Sequence, residues 1–311
     1  MMPVEIAMLL FALVIDQLLG EPPSSLHPVV WIGKSITLLE RRAPRGAMMQ
    51  LAYGVFVLVV VVGLFASSTY LLLAWLRAWN EVAYVIIGGL ILKSTFAVRE
   101  LQRAASRVWD ALVSENLDTA RRNLRHLVSR NTESLDQPLV VAATVESVAE
   151  NVTDSFVSPV IFFVLFGVAG AVAYRAVNTL DSMIGYRGGY EHLGKAAARL
   201  DDLLNFVPAR VAAGLTVVAS AIVQADFRGA WRIMLRDHGL TASPNAGWTM
   251  SAMSGALGVQ LEKIGCYRLG DPQAELSPLK ILRAVHIMYV AVALTVLASI
   301  IVEVIVYVRP T

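Results

Sequence analysis

Glu146, Glu150 and Asp154 recur at every fourth position, so on a helix they share one face. Like charges at that spacing repel, and the pattern asks for a cation. Mg²⁺ is the natural candidate, because it is held through one or two carboxylates together with substrate phosphates. Asn151 lies beside this face and offers a carbonyl oxygen. The alternative is a solvated acidic face. Against it, the stripe runs directly into Pro159 and an apolar run, where idle carboxylates are costly.

Four other groups have chemical potential. Arg130, in the polar loop Val128–Ser134, puts a permanent cation beside hydroxyls and amides and suits a phosphate or carboxylate; a cation closing the preceding helix is the plainer reading. Asn178 and Asp181 stand one helical turn apart and can address one ligand, while Asp201 and Asp202 follow Arg199, where a helix N-cap would explain only one of them. Ser243-Pro244-Asn245-Ala246-Gly247-Trp248 is a turn-forming hexapeptide ahead of a helix expected over Thr249–Leu261. Gly247 would let backbone approach a ligand, and the helix N-terminus favours an anion such as phosphate, unless the loop is an ordinary cap. His27 sits on a proline-rich loop, where a lone histidine is usually structural.

The elements that must position these groups are largely membranous. The chain has 311 residues, of which 56% are hydrophobic and 16% charged, and a mean hydropathy of +0.61, which suits a polytopic membrane protein with sizeable aqueous segments. Apolar runs cover Pro3–Leu19, Ala47–Leu76, Val82–Leu92, Pro159–Val177, Val211–Val223 and Ala284–Val308. Against the roughly 20 residues a span requires, the second and last qualify easily and the first marginally. The other three are short or glycine-interrupted, and each is a span or a re-entrant, protein-buried helix.

The first run lacks a basic leader and a small-residue cleavage pattern, so it reads as a retained helix. Lys34, Arg41, Arg42 and Arg45 mark the cytoplasmic side, and the arginine-rich segment 99–158 falls there too, with the N-terminus outside. Leu117–Leu127 has the spacing of an amphipathic helix. The expected architecture is therefore all-α: a single integral membrane domain over 1–311, with cytoplasmic segments at 99–158 and 224–283. A net charge of +2 gives no argument for nucleic acid; membrane lipid explains the basic residues better. The single cysteine, Cys266, excludes a disulfide framework or a cysteine metal cluster. There is no Walker A loop, nucleophile elbow, dinucleotide fingerprint or His-Glu-x-x-His.

Taken in order, Asp16 with Gly20-Glu21-Pro22 and His27-Pro28-Val29, then Glu146–Asp154, Asn178–Tyr186, Ala198–Asp202, Ser243–Trp248 and Tyr267-Arg268-Leu269-Gly270 resemble the adenosylcobinamide-phosphate synthase family of cobalamin biosynthesis. The likeness spans nearly the whole chain; Asn131 departs from it, standing where an aspartate is expected. The resemblance implies a multi-pass enzyme of the prokaryotic cell membrane with its active site facing the cytoplasm. Its reaction would join adenosylcobyric acid to (R)-1-aminopropan-2-ol, its O-phosphate or a related amino alcohol, using ATP and Mg²⁺. Other cobalamin biosynthesis enzymes would be its partners.

It further implies that Glu146, Glu150, Asp154, Asn178 and Asp181 hold Mg²⁺ and nucleotide, with Asn151 beside them. Arg130, Lys195 and Arg199 would meet phosphates, Ser243, Asn245 and Gly247 a phosphate or the amino alcohol, and His27 the substrate. Asp201 or Asp202 would take the amine's proton. If 159–177 and 211–223 were simple spans, Asn178–Asp202 would lie outside, away from ATP, so a re-entrant pair is expected there. A small-solute transporter, which inverted repeats would favour, and a noncatalytic scaffold or sensor are the alternatives; no such repeat is present.

Overall fold

The structure, a computed structural model, describes residues 4–25, 27–186 and 188–308. In chain order the helices are α1 (Val4–Leu19), α2 (Pro28–Glu40), α3 (Ala47–Trp79), α4 (Glu81–Lys93), α5 (Val98–Val113), α6 (Leu117–Leu124), α7 (Gln137–Val152), α8 (Ser158–Ile184), α9 (Lys195–Leu204), α10 (Phe206–Ile222), α11 (Phe227–Asp237), α12 (Ala246–Leu257) and α13 (Leu279–Val308). A π-helical turn, Thr153–Val157, joins α7 to α8. Among the described residues the only sheet is the antiparallel hairpin β1 (Leu261–Lys263) and β2 (Tyr267–Leu269), with Lys263 opposite Tyr267. The all-helical membrane architecture expected from the sequence is the one observed.

Among the described residues, four stretches are long and apolar enough to cross a membrane: Ala47–Trp79, Glu81–Val113, Gln137–Ile184 and Leu279–Val306. Only 17% of the apolar window of α3 and 22% of that of α13 is buried in protein, so their leucine and valine surfaces need lipid. A fifth candidate, α9 with α10, is bent by 47°.

The chain packs as two compact units. The first comprises residues 1–97, 158–205 and 299–311. Its core joins Ile32 and Ile36 of α2, Val57 and Val61 of α3, and Ala176, Leu180 and Ile184 of α8. Gly167 breaks α8, with φ at 68°, a left-handed value that a side chain would strain. The chain doubles back there. Phe162 stacks on Tyr174 with 5.2 Å between ring centroids. Ser158 and Tyr174 both donate to Asn205 Oδ1, at 2.6 and 2.9 Å. In a straight helix those two residues would stand about 24 Å apart. The run expected over 159–177 is therefore a helical hairpin, the path of a re-entrant segment.

The second unit comprises residues 98–157 and 206–298. In it α7 is buried along most of its length. Helices α11 and α12 meet backbone to backbone, since a Cβ on Gly255 would fall 2.3 Å from the Gly229 carbonyl oxygen. The helix expected over 249–261 instead runs Ala246–Leu257. It starts earlier, at the turn, and ends where Gly258 adopts φ 62°, the left-handed cap that releases Leu261 into β1. The expected helix 117–127 stops at Leu124.

Candidate functional site

In the second unit the site is built on α7. Asp136 caps the helix by accepting from Leu139 N at 3.0 Å, and Pro138 occupies its first turn, where a missing N–H costs nothing. Glu146, only 5% exposed, accepts from Arg130 Nη2 at 2.7 Å through Oε2. Its other oxygen, Oε1, and Arg130 Nε are both buried without a hydrogen bond of ordinary geometry. The Tyr267 hydroxyl, brought over by β2, lies against the same carboxylate. Burial first, then the charges of Glu146 and Glu150, raise the tyrosine's pKa and keep it protonated. The hydroxyl also approaches Met250 Sδ at 3.9 Å.

The loop that carries Arg130 is braced from below. Arg121 Nε donates to the Leu135 carbonyl at 2.7 Å, and Thr132 Oγ1 to the Arg121 carbonyl at 2.9 Å. Asn131 Oδ1 accepts from Glu133 N at 2.9 Å. That is an Asx turn, which asparagine and aspartate make equally well, so the departure at Asn131 removes no needed charge.

The acidic stripe is less uniform than its spacing suggests. Glu146 has a counterion in Arg130, Glu150 is exposed, and Asp154 lies in the π-helical turn, where α-helical periodicity no longer holds it on their face. Among the described residues no three His, Cys, Asp or Glu side chains are grouped to hold a metal ion. The three acids therefore do not make an ion site by themselves. Asn151 belongs to the neighbouring face, donating to the Ser147 carbonyl at 2.9 Å and accepting from Ser155 Oγ at 2.6 Å. With Ser147, Asn123, His126, Arg107 and Glu100 it lines a cleft of about 440 Å³, whose α5 and α6 residues sequence reasoning did not single out.

The hexapeptide turns inward. Ser243 Oγ accepts from Asn245 N at 3.2 Å and Ala246 N at 3.4 Å, so its hydroxyl closes the turn that leads into α12, whose N-cap is Asn245. A Cβ on Gly247 would fall 2.1 Å from the His238 carbonyl oxygen; the glycine is required by that close packing, not by a ligand. Arg210 of α10, also unanticipated, donates to Asn245 Oδ1 at 2.8 Å and lies over the rings of Phe206 and Trp248, at 3.8 and 4.8 Å.

In the first unit Asn178 turns to other partners than a ligand shared with Asp181. It donates to Asp201 Oδ1 at 3.3 Å and accepts from Arg175 Nη1 at 3.0 Å. Asn205 Nδ2 donates to Asp201 Oδ2 at 3.0 Å. Both oxygens of this buried acid are thus held by amides, the wiring of an organising group. Neither Asp201 nor Asp202 is an N-cap: both lie near the C-terminal end of α9, where the helix dipole disfavours an acid. Asp181 sits beside Gly185, on which a Cβ would fall 2.0 Å from Oδ1. Lys195 and Arg199 are exposed on α9.

His27 caps α2, accepting from Val29 N at 3.2 Å, and its Nε2 meets Glu21 Oε2 at 2.7 Å. Glu21 also receives Lys93 Nζ at 2.6 Å, and Lys93 lies 3.4 Å from Asp16. Burial opposes ionisation of Glu21, but His27 and Lys93 outweigh it and lower its pKa. Lys93, which in sequence only interrupts an apolar run, is the buried tie between the first loop and α4.

The chain matches the CobD/Cbib protein family over residues 9–301. It is 50% identical over 270 residues to the cobalamin biosynthesis protein CobD of Dehalococcoides mccartyi, covering 86% of this chain and 88% of that one. It is 38% identical over 296 residues to a probable CobD of Methanothermobacter thermautotrophicus, covering 95% and 97%. A probable CobD of Archaeoglobus fulgidus is 40% identical over 310 residues, covering 99% and 97%. No solved structure matches. With the family matched across nearly all of its length, and with the apolar helices of a membrane protein, the chain belongs to the CobD/Cbib family of cobalamin biosynthesis.

Proposed function

We propose that the protein is the ligase that joins adenosylcobyric acid to an amino alcohol, or to its O-phosphate, in an ATP-dependent reaction at the cytoplasmic face of the membrane. Membership of the cobalamin family carries this reading, and the buried Arg130–Glu146 pair with its unfilled donor and acceptor supports it. A carboxylate oxygen is a poor leaving group. Transfer of the γ-phosphoryl group of ATP to the corrin carboxylate gives an acyl phosphate and ADP. The amine then attacks the acyl carbon, the C–O bond breaks with its electron pair leaving on phosphate, and the amine gives up a proton. This chain's contribution is positioning and charge neutralisation.

Mg²⁺ would neutralise the phosphate charge as it moves. The residues fit it in one form only: because three protein ligands are not assembled, Glu150, with Asp154 near by, would supply one or two carboxylate oxygens and the triphosphate the rest.

The test is an assay of purified protein in detergent or nanodiscs with ATP, Mg²⁺, adenosylcobyric acid and each candidate amine. The expected result is ADP release matched by an adenosylcobinamide product. Folded protein that consumes no ATP with any amine overturns the reading.

A further inference from the structure

We propose that α11, a helix too short and too charged to span, lies in the membrane interface. Phe227, Trp231 and Leu235 enter the acyl chains, and Arg228 and Arg232 meet the phosphates of anionic lipids.

Successive residues of a helix advance by about 100°, and around that wheel α11 divides into three sectors. Gly229, Ala230, Ile233, Met234 and Asp237 are buried and form the inner one. Phe227, Trp231 and Leu235, which are 44%, 53% and 49% exposed, form the second. The exposed arginines 228, 232 and 236 form the third, alongside the apolar row. The outer half of the helix is thus itself amphipathic. Arg236 is engaged within the protein, 2.6 Å from Asp237 and 2.9 Å from Asp271. Arg228 and Arg232 border the apolar row, the first with its guanidinium 5.7 Å from the Phe227 ring centre.

The fold of this unit does not require the apolar row. The helix is fixed from its inner side, by Asp226 accepting from Gly229 N at 2.8 Å and by the close approach of Gly229 to Gly255. A single exposed apolar residue needs no explanation, but three large ones in a row, with a tryptophan at the centre, do. Helices α5 and α6 of the same unit are also amphipathic, and their exposed positions are Arg107, Asp110, Asp118 and Arg122, with Val113 at the end of α5. Those two helices face water and α11 does not.

Two observations identify lipid as the cover. The apolar row continues another: α10, part of the bent candidate span, exposes Val207, Val211, Val218 and Ile222 at helical spacing and leads into α11 through the short turn 223–226. The arginines then stand beside the apolar row, where a bilayer places phosphate next to hydrocarbon, and an aromatic side chain is favoured at that level. Anionic headgroups complement the two charges.

The experiment uses the purified full chain in a Cys266→Ser background, spin-labelled at Trp231→Cys or Leu235→Cys. Nanodiscs are made of phosphatidylcholine alone or mixed with phosphatidylglycerol, and power saturation reads collisions with oxygen and with a water-soluble nickel chelate. Both α11 labels should favour oxygen over the chelate, and a label at Asp110→Cys on α5 should favour the chelate. Adding phosphatidylglycerol should reduce chelate access at residue 231 severalfold, and changing Arg228→Gln and Arg232→Gln together should remove that response. Chelate access at 231 and 235 equal to that at 110 overturns the proposal, because α11 then faces water. Exclusion of both reagents also overturns it, since a second copy or another protein then covers the helix. A phosphatidylglycerol response unchanged by the double substitution overturns the role given to the arginines. The label at 235 keeps Trp231 in place, so the measurement stands if Trp231→Cys misfolds.

Discussion

Two buried carboxylates, one in each unit, were equal candidates in the sequence and are wired oppositely. Asp201 has both oxygens occupied by the amides of Asn178 and Asn205, and Asn205 in turn accepts from Ser158 and Tyr174. Glu146 has Oε2 occupied by Arg130, while Oε1 makes no hydrogen bond of ordinary geometry and has only the Tyr267 hydroxyl lying against its carboxylate. A closed network fixes a fold and has nothing left to give a ligand, whereas an open one keeps part of its pairing for an occasional guest. Burial and charge alone do not separate the two; the count of filled lone pairs does.

The sharpest way to break this contrast is Asn205→Ala. It strips partners from Ser158, Tyr174 and Asp201 together, and should cost about 3 kcal/mol or more at 1–3 kcal/mol per orphaned group. Thermal unfolding in detergent should show a large fall in melting temperature. An unchanged melting curve with abolished turnover would make the Asp201 network part of the chemistry instead.

A smaller effect is expected at Glu150→Gln, which removes an exposed charge and should fold and insert normally. Its Mg²⁺ requirement should rise about tenfold, the equivalent of about 1.4 kcal/mol. Titrating turnover against Mg²⁺ checks this, and an unchanged dependence removes Glu150 from the metal's ligands. The control is Arg122→Ala, an exposed α6 position expected to change stability by no more than about 0.5 kcal/mol. Arg121, on the solvent face of the helical pattern, is unsuitable because it braces the Arg130 loop through the Leu135 carbonyl.

The mildest perturbation is a label. Single cysteines at the exposed residues Ser134 and Ser182, in a Cys266→Ser background, should both react with an impermeant thiol reagent from the cytoplasmic side. Labelling of Ser182 only from outside would separate the two networks by a membrane and end any reading that has them serve one nucleotide.

The sequence reading reached the helices well where apolar runs exceeded a bilayer's need, as at α3 and α13. It was weaker wherever a residue's role depended on a distant partner. Fourfold spacing found Glu146 and Glu150, but the counterion 16 residues upstream and Tyr267 across a hairpin have no local signature. Lys93 looked like a blemish because its partners, Asp16 and Glu21, lie more than 70 residues away in the chain. Gly247 was legible as a necessary glycine, yet its reason is the His238 carbonyl. Spacing reports faces; it does not report what stands opposite them.

The doubling back at Gly167 bears on sidedness. Apolar length scores Gln137–Ile184 as one crossing. The path from Ser158 to Tyr174 scores as none, because it finishes beside its own start. Removing one crossing changes the parity of the tally, and every segment after residue 174 changes sides with it. The orientation of the second half of the protein is thus a matter of parity, decided at a residue whose left-handed backbone only glycine adopts without strain.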